Sequence, residues 1–291
     1  MSRIGIFART FARPTVEETL DAVAAHGIGV VQFNMSCAGL PSLPDRIEPA
    51  LAARIRGALA TRDIRMAAVS GTFNMIHPDE RARRDGLRRL GILAAACAAI
   101  GVSIITLSSG TRDPDDLWRR RPDNDTPEAW GDLLRSMGEA ARIAEEAGVT
   151  LAVEPEVANV VDSARKGRRL LDELRSPRLK IVLDPANLFH AGALPRMRAI
   201  LDEAFDLLGP DIALAHAKDL SRDGAAGREA AGTGVLDYDH YLTLLDGLGR
   251  DAPLILHGLA EDQVETSLAF LRSKGARLSG APPATSAELA G

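Results

Sequence analysis

Four residues with metal-capable side chains stand at corresponding places in the second half of the 291-residue chain. Glu154 closes the strand in the run TLAVEPE, and Asp184 closes the one in KIVLDP. His216 lies near the end of IALAHAKD, and His257 ends the apolar run in PLILHG. Taken singly, each has a structural reading. A carboxylate after a strand caps the next helix by accepting its free N–H groups. The proline that follows both Glu154 and Asp184 is tolerated at a first helical position. A lone histidine at a strand end is an ordinary hydrogen-bonded residue. Four such side chains converging on one point behave differently. Two carboxylates buried together repel each other and lose their hydration, and one divalent cation removes both costs. Two carboxylates with two imidazoles suit Mn, Fe, Co or Zn better than Mg or Ca. Manganese is the first expectation, with Co, Fe, Zn or Mg as alternatives.

Convergence requires strands that are neighbours in one sheet. Short runs rich in Val, Ile and Leu, predicted as strands, cover residues 3–8, 28–34, 64–70, 104–108, 149–154, 179–184, 211–218 and 253–257. Between them lie Ala-, Leu- and Arg-rich helical stretches. Thr15 with Glu18 three residues on marks a helix start, and Gly27 and Gly148 mark helix stops. Strands that alternate with helices are parallel, because each crossover carries the chain back over the sheet. Eight such units match a closed α/β architecture, a single (β/α)8 TIM barrel. An open doubly wound sheet is the alternative, but IGIFARTFARP lacks the glycine-rich phosphate turn expected after its first strand. The chain divides into a catalytic domain over residues 1–278 and a small, polar, frayed tail over residues 279–291.

Composition narrows the function classes. Hydrophobic residues at 46% and charged residues at 26% are ordinary for a globular chain and exclude dominant disorder. A net charge of −5 and 4% aromatics argue against a nucleic-acid partner. The most apolar stretch, residues 92–107, is broken by Gly101 and Ser103 and reads as helix then strand, so no membrane association is expected. The start MSRIGIFART lacks a secretory apolar core, and Cys37 and Cys97 have no metal-pair spacing; a cytoplasmic location is expected.

The pieces AVEPE around Glu154, VLDPAN around Asp184, AHAKD around His216, and GTGVLDYDHYLTLL from Gly232 carry a resemblance. The chain resembles the xylose isomerase-like barrel superfamily, specifically its sugar-phosphate isomerase/epimerase group, over residues 4–271. The resemblance implies one divalent metal held by Glu, Asp, His and a second Glu from strands five to eight. Glu154, Asp184 and His216 fall on the first three. His257 stands where the family usually has glutamate, so it is expected either to bind metal and move protons or to accompany a different reaction. In the ketose 3-epimerases of the group the two glutamates are also the proton-transfer groups. The group also implies a homodimer or homotetramer.

Further residues are expected to touch a small carbohydrate substrate. Period-two alternation places Glu156 with Glu154 and Lys218 with His216. Asn187, three residues after Asp184, stands where relatives often carry a substrate-contacting histidine. His77 and Arg112, in the loops after strands three and four, face the same mouth. The segment over residues 114–126, containing WRRR, reads as a surface loop or a lid.

The leading expectation is a metal-dependent isomerase or epimerase acting through an enediolate, with Glu154 as base and His257 or Glu156 returning the proton. A dehydratase or sugar lyase starting from the same proton abstraction is the alternative. A non-catalytic sugar-binding barrel is a third reading. The superfamily's apurinic endonucleases need three ions and further histidines, which this chain does not place: strand four ends in Ser108 and Ser109.

Overall fold

The strand-forming runs are apolar on successive residues because each strand is covered on both faces, by side chains inside the barrel and by helices outside. In the computed structural model, which describes residues 4–278, eight parallel strands close into a barrel in sequential order. They are β1 (Ile4–Phe7), β2 (Val30–Phe33), β3 (Arg65–Ser70), β4 (Ile104–Ser108), β5 (Thr150–Glu154), β6 (Leu179–Leu183), β7 (Ile212–Ala217) and β8 (Leu254–Leu256). The helices are α1 (Val16–Ala25), α2 (Pro49–Ala60), α3 (Glu80–Ile100), α4 (Pro127–Ala147), α5 (Ala164–Leu174), α6 (Met197–Leu208), α7 (Tyr238–Asp246) and α8 (Val264–Leu278). The expected tail lies outside the described residues. None of the described helices is long and apolar enough to cross a membrane.

Closure depends on β1 pairing with β8, where Ile4 stands opposite Leu254 and Gly5 opposite Ile255. A Cβ at position 5 would lie 2.7 Å from the Val30 carbonyl oxygen and 2.8 Å from Ile255 Cδ1, so the seam needs glycine there. Phe7, Val30, Ala67, Ala152, Val182, Leu214 and Ile255 pack together as one cluster inside the barrel. A larger apolar layer binds the helices to the outside of the sheet. Burying each large apolar side chain contributes about 1.5–3 kcal/mol, which the two layers accumulate.

Helix starts follow the capping chemistry. Thr15, Asp79, Thr126, Ser163 and Asp237 each accept a backbone N–H from the first turn of the helix they precede. Gly101 and Gly148 end α3 and α4 with positive φ. The strand ladders stop slightly sooner than the sequence predicts. Asp184 lies just past β6, where its carboxylate caps a short 3-10 turn by accepting the Ala186 N–H, and Pro185 has no N–H for another rung. The last helix, α8, follows a 3-10 turn at Glu261–Gln263 and continues to Leu278.

Candidate metal and substrate site

Two tyrosines of α7 fix the end of β7. The Tyr241 hydroxyl donates to the His216 carbonyl at 2.9 Å, and the Tyr238 hydroxyl donates to the Lys218 carbonyl at 3.0 Å. Asp219 accepts N–H groups of Leu220, Gly232 and Leu236, which ties the glycine-rich loop to this strand end. A Cβ on Gly234 would approach Asp219 Oδ1 to 2.4 Å, so the loop closes only around a glycine. The aspartate of AHAKD is therefore a scaffold residue. After β8, Gly258 turns the chain at φ +70°, and a Cβ there would meet Lys218 Cδ at 2.7 Å. Glycine at 258 thus makes room for the lysine stem.

At the mouth of the barrel, donor atoms from three adjacent strand ends face one another. His216 Nδ1 lies 3.3 Å from Asp184 Oδ2 and 3.5 Å from Glu154 Oε1. The other ring nitrogen, Nε2, is 2.9 Å from Gln32 Oε1, while Gln32 Nε2 donates to Thr106 Oγ1 at 3.3 Å. That chain fixes the glutamine amide, so Nε2 of His216 donates and Nδ1 is turned toward two carboxylates. A lone pair pointed at two anions is repulsive unless a cation or a proton lies between them. His257 completes the group: ligand-capable atoms of Asp184, His216 and His257 all lie within 4.8 Å of one another.

Lys218 is buried and contributes a positive charge beside this group. Its Nζ lies 3.0 Å from Asp184 Oδ2 and donates to Asn187 Oδ1 at 2.8 Å. Asn187 in turn donates from Nδ2 to Glu154 Oε1 at 2.7 Å. Glu156 is buried next to them, its carboxylate accepting from the Ala158 N–H and from Asn159 Nδ2. Three carboxylates therefore gather around one ammonium. Asp184, His216 and His257 offer one carboxylate oxygen and two imidazole nitrogens facing one another, a donor set that fits a divalent transition-metal ion.

The protonation states follow from these contacts. Burial pushes the Asp184 carboxyl upward, but the Lys218 ammonium and His216 outweigh it and hold it well below the usual carboxylate range. Burial lowers the basicity of His216, yet the charges of Glu154 and Asp184 prevail and raise it to about 9. Without a metal, His216 is thus an imidazolium. His257 is driven well below the ordinary histidine range by burial and by the positive charges of His216 and Lys218. Burial raises Glu156 to about 7, against the favourable Ala158 N–H.

Above these groups opens a cavity of about 570 Å³. Glu154, Glu156, Asn187, His216, Lys218 and His257 line it, with Asp184 fully buried beneath. The structure does not bring His77 and Arg112 to the cavity lining. The His77 ring donates from Nε2 to the Pro114 carbonyl and accepts the Asp79 N–H at Nδ1. Arg112 donates to the Ile76 carbonyl and pairs with Asp132 at 2.6 Å. Both side chains instead pin the loops after β3 and β4 to each other and to α4.

The cavity is also lined by residues that the sequence analysis did not name, among them Arg9, Gln32, Ser70, Thr106 and Arg228. Gln32 carried a signal, a polar residue inside the apolar run VVQF. The segment over residues 114–126 does reach the mouth, where Trp118, Arg119 and Arg120 line the cavity. Asp113 and Asn124 hold its two ends, accepting N–H groups of Asp115 and Asp116 and donating to the Ala158 carbonyl.

Comparison with known proteins agrees with this architecture. The sequence profile described as xylose isomerase-like TIM barrel matches residues 20–274. No curated protein matches the chain by sequence. Among solved structures, the chain is similar to a D-tagatose 3-epimerase-like protein at a TM-score of 0.76 and 14% identity, covering 96% of this chain and 98% of that one. It is similar to the apo form of a 3-keto-D-glucoside 4-epimerase from E. coli at a TM-score of 0.70 and 16% identity, covering 93% and 98%. It is also similar to the IOLI protein with a bound zinc atom, at a TM-score of 0.71 and 16% identity, covering 95% and 97%. At these identities the likeness concerns the fold.

Proposed function

The chain belongs to the xylose isomerase-like TIM barrel family, and from that membership we propose that it is a divalent-metal-dependent isomerase or epimerase of a carbonyl-bearing sugar or polyol. The observation that carries this reading is that His216 Nδ1 faces two carboxylates at the cavity floor, Asp184 Oδ2 at 3.3 Å and Glu154 Oε1 at 3.5 Å. Solved relatives of the same fold include sugar epimerases and a zinc-bound protein, which supports the choice. Glu154, Asp184, His216 and His257 would hold the ion, with manganese the first metal to test. Such an ion supplies a Lewis acid that polarises a carbonyl and its neighbouring hydroxyl.

The remaining chemistry falls to side chains of this chain. Glu154 lines the cavity and takes the carbon-bound proton beside the substrate carbonyl. Its Oε1 is oriented by Asn187, so the base is held in place before substrate arrives. The enediolate left on the substrate is anionic, and the Lys218 ammonium beside the floor hydrogen-bonds to it. The returning proton comes from Glu156. Its position near 7 lets it give and take a proton at neutral pH, whereas His257, held neutral, offers a lone pair and no proton. His257 thus keeps the ligand half of its expected role. Return to the same carbon gives epimerisation, and return to the neighbouring carbon gives isomerisation.

Solvent-deuterium exchange into a panel of ketoses, read by NMR, tests this reading. The manganese-loaded protein should exchange the proton next to a carbonyl, and Glu154→Gln should slow exchange by at least about a hundredfold. Undiminished exchange in the variant refutes the role of Glu154.

A further inference from the structure

The cavity floor carries both signs of charge, Glu154 and Glu156 beside Lys218 and His216, while its rim carries arginines. Among the described residues, the acidic side chains lining it are Glu154 and Glu156, both on the floor. Around the mouth stand Arg9, just after β1, Arg119 and Arg120 in the segment after β4, and Arg228 in the loop after β7. These four arginines are not equivalent. Arg119 pairs with Asp113 and Asp116, and Arg120 pairs with Asp125 and Asp162, so their charges are spent within the protein. Arg9 and Arg228 have no side-chain hydrogen bond or ion pair among the described residues.

Arg9 is nevertheless held in place. Its guanidinium carbon lies 4.7 Å from the centre of the Phe7 ring, and Phe7 meets His257 edge-on at 5.4 Å. The aromatic ring fixes the guanidinium beside the catalytic floor while leaving its N–H donors free. A planar fork of this kind suits a carboxylate or phosphate. Trp118, 50% exposed, adds an aromatic wall to the same cavity, against which the C–H face of a polyol can lie.

We propose that Arg9 and Arg228 form an anion subsite at the cavity mouth, so that the substrate is a carbonyl-bearing polyol carrying a carboxylate or phosphate at the end remote from the cavity floor. This rests on the function proposed above and narrows its substrate class. The unpaired arginines draw the anionic end of such a molecule to the rim, which leaves its carbonyl end at the floor.

Fluorescence of Trp118 reports on the subsite, with Trp130 replaced by Phe to leave a single tryptophan. The probes are D-fructose, D-fructose 6-phosphate and 2-keto-D-gluconate. In buffer of about 0.02 M salt the anionic probes should bind at least roughly tenfold tighter than D-fructose, and this advantage should shrink at about 0.5 M NaCl. It should disappear in the Arg9→Gln, Arg228→Gln double variant while D-fructose binding stays unchanged, which shows that the variant is folded. An advantage confined to the phosphate ester supports the subsite and identifies phosphate. One confined to the keto acid supports it and identifies carboxylate. Absence of a salt-sensitive advantage in the parent, or its survival in the double variant, overturns the proposal. Because binding is read without turnover, the subsite and the proton-transfer chemistry fail separately.

Discussion

The two halves of the barrel share one grammar of strand and helix but end their strands with different chemistry. In the second half, β5 to β8 deliver Glu154, Asp184, His216 with Lys218, and His257 to the floor of the mouth. In the first half, β2, β3 and β4 face the same cavity with Gln32, Ser70 and Thr106, all neutral. Acidic and imidazole side chains are thus concentrated on one wall of the floor, and the ends of β2 to β4 opposite them supply hydrogen bonds. The two meet where Gln32 accepts from His216 across the barrel. This division has a physical reason. Charges buried on one side compensate each other or share an ion, whereas charges spread around the ring would each pay for desolvation alone. The neutral wall then orients the charged side chains without adding to the charge.

Breaking the charged wall should have the largest effect. Asp184 is fully buried and is the counter-charge of Lys218 and His216. Asp184→Asn should lower stability by about 3–5 kcal/mol, because it leaves buried positive charge uncompensated. Chemical denaturation of the metal-free variant measures this, and a loss below about 1 kcal/mol would show that the wall is not the electrostatic unit described.

Glu156 sharpens the comparison through pH. Its folded-state proton affinity is raised to about 7 from an ordinary 4.5. Between those values the folded chain holds a proton that the unfolded chain releases. The associated stability is fully present below about pH 4.5 and lost as pH rises through about 7. In the metal-free protein, Glu156→Gln should remove up to about 3 kcal/mol of this fall with rising pH. Denaturation curves collected across the window decide it, and an unchanged slope counts against the burial assigned to Glu156.

The neutral wall should matter less, and through orientation. Gln32→Leu deprives His216 Nε2 of its acceptor while leaving every charged group in place. Metal affinity should fall roughly ten- to a hundredfold, and the metal-free protein should lose about 1–3 kcal/mol because the buried Nε2–H is left without an acceptor. Calorimetric titration checks it. Unchanged affinity would mean that the ring is held by the charged wall alone.

Much of this was legible in the sequence because the information is local. Each strand–helix unit carries its own period and caps, so the eight-fold alternation and the parallel closed sheet followed from short segments read one by one. The polar residues ending apolar runs marked Glu154, Asp184, His216 and His257 for the same reason. That His77 and Arg112 stand apart from the cavity lining was not legible, because their positions are set by partners elsewhere in the chain: the Pro114 carbonyl for one, the Ile76 carbonyl and Asp132 for the other. Gln32 interrupts its strand visibly, but its partner stands 184 positions later. The contrast between Arg9 and Arg120 is likewise invisible in sequence, since it depends on which arginine finds an acid in three dimensions.

Anomalous diffraction from crystals grown with manganese tests the central claim most directly. The account predicts one strong peak on the cavity floor, within about 2.0–2.3 Å of Glu154, Asp184 and His216, with His257 as a further ligand. A floor without such a peak, or manganese bound only elsewhere on the molecule, would contradict it.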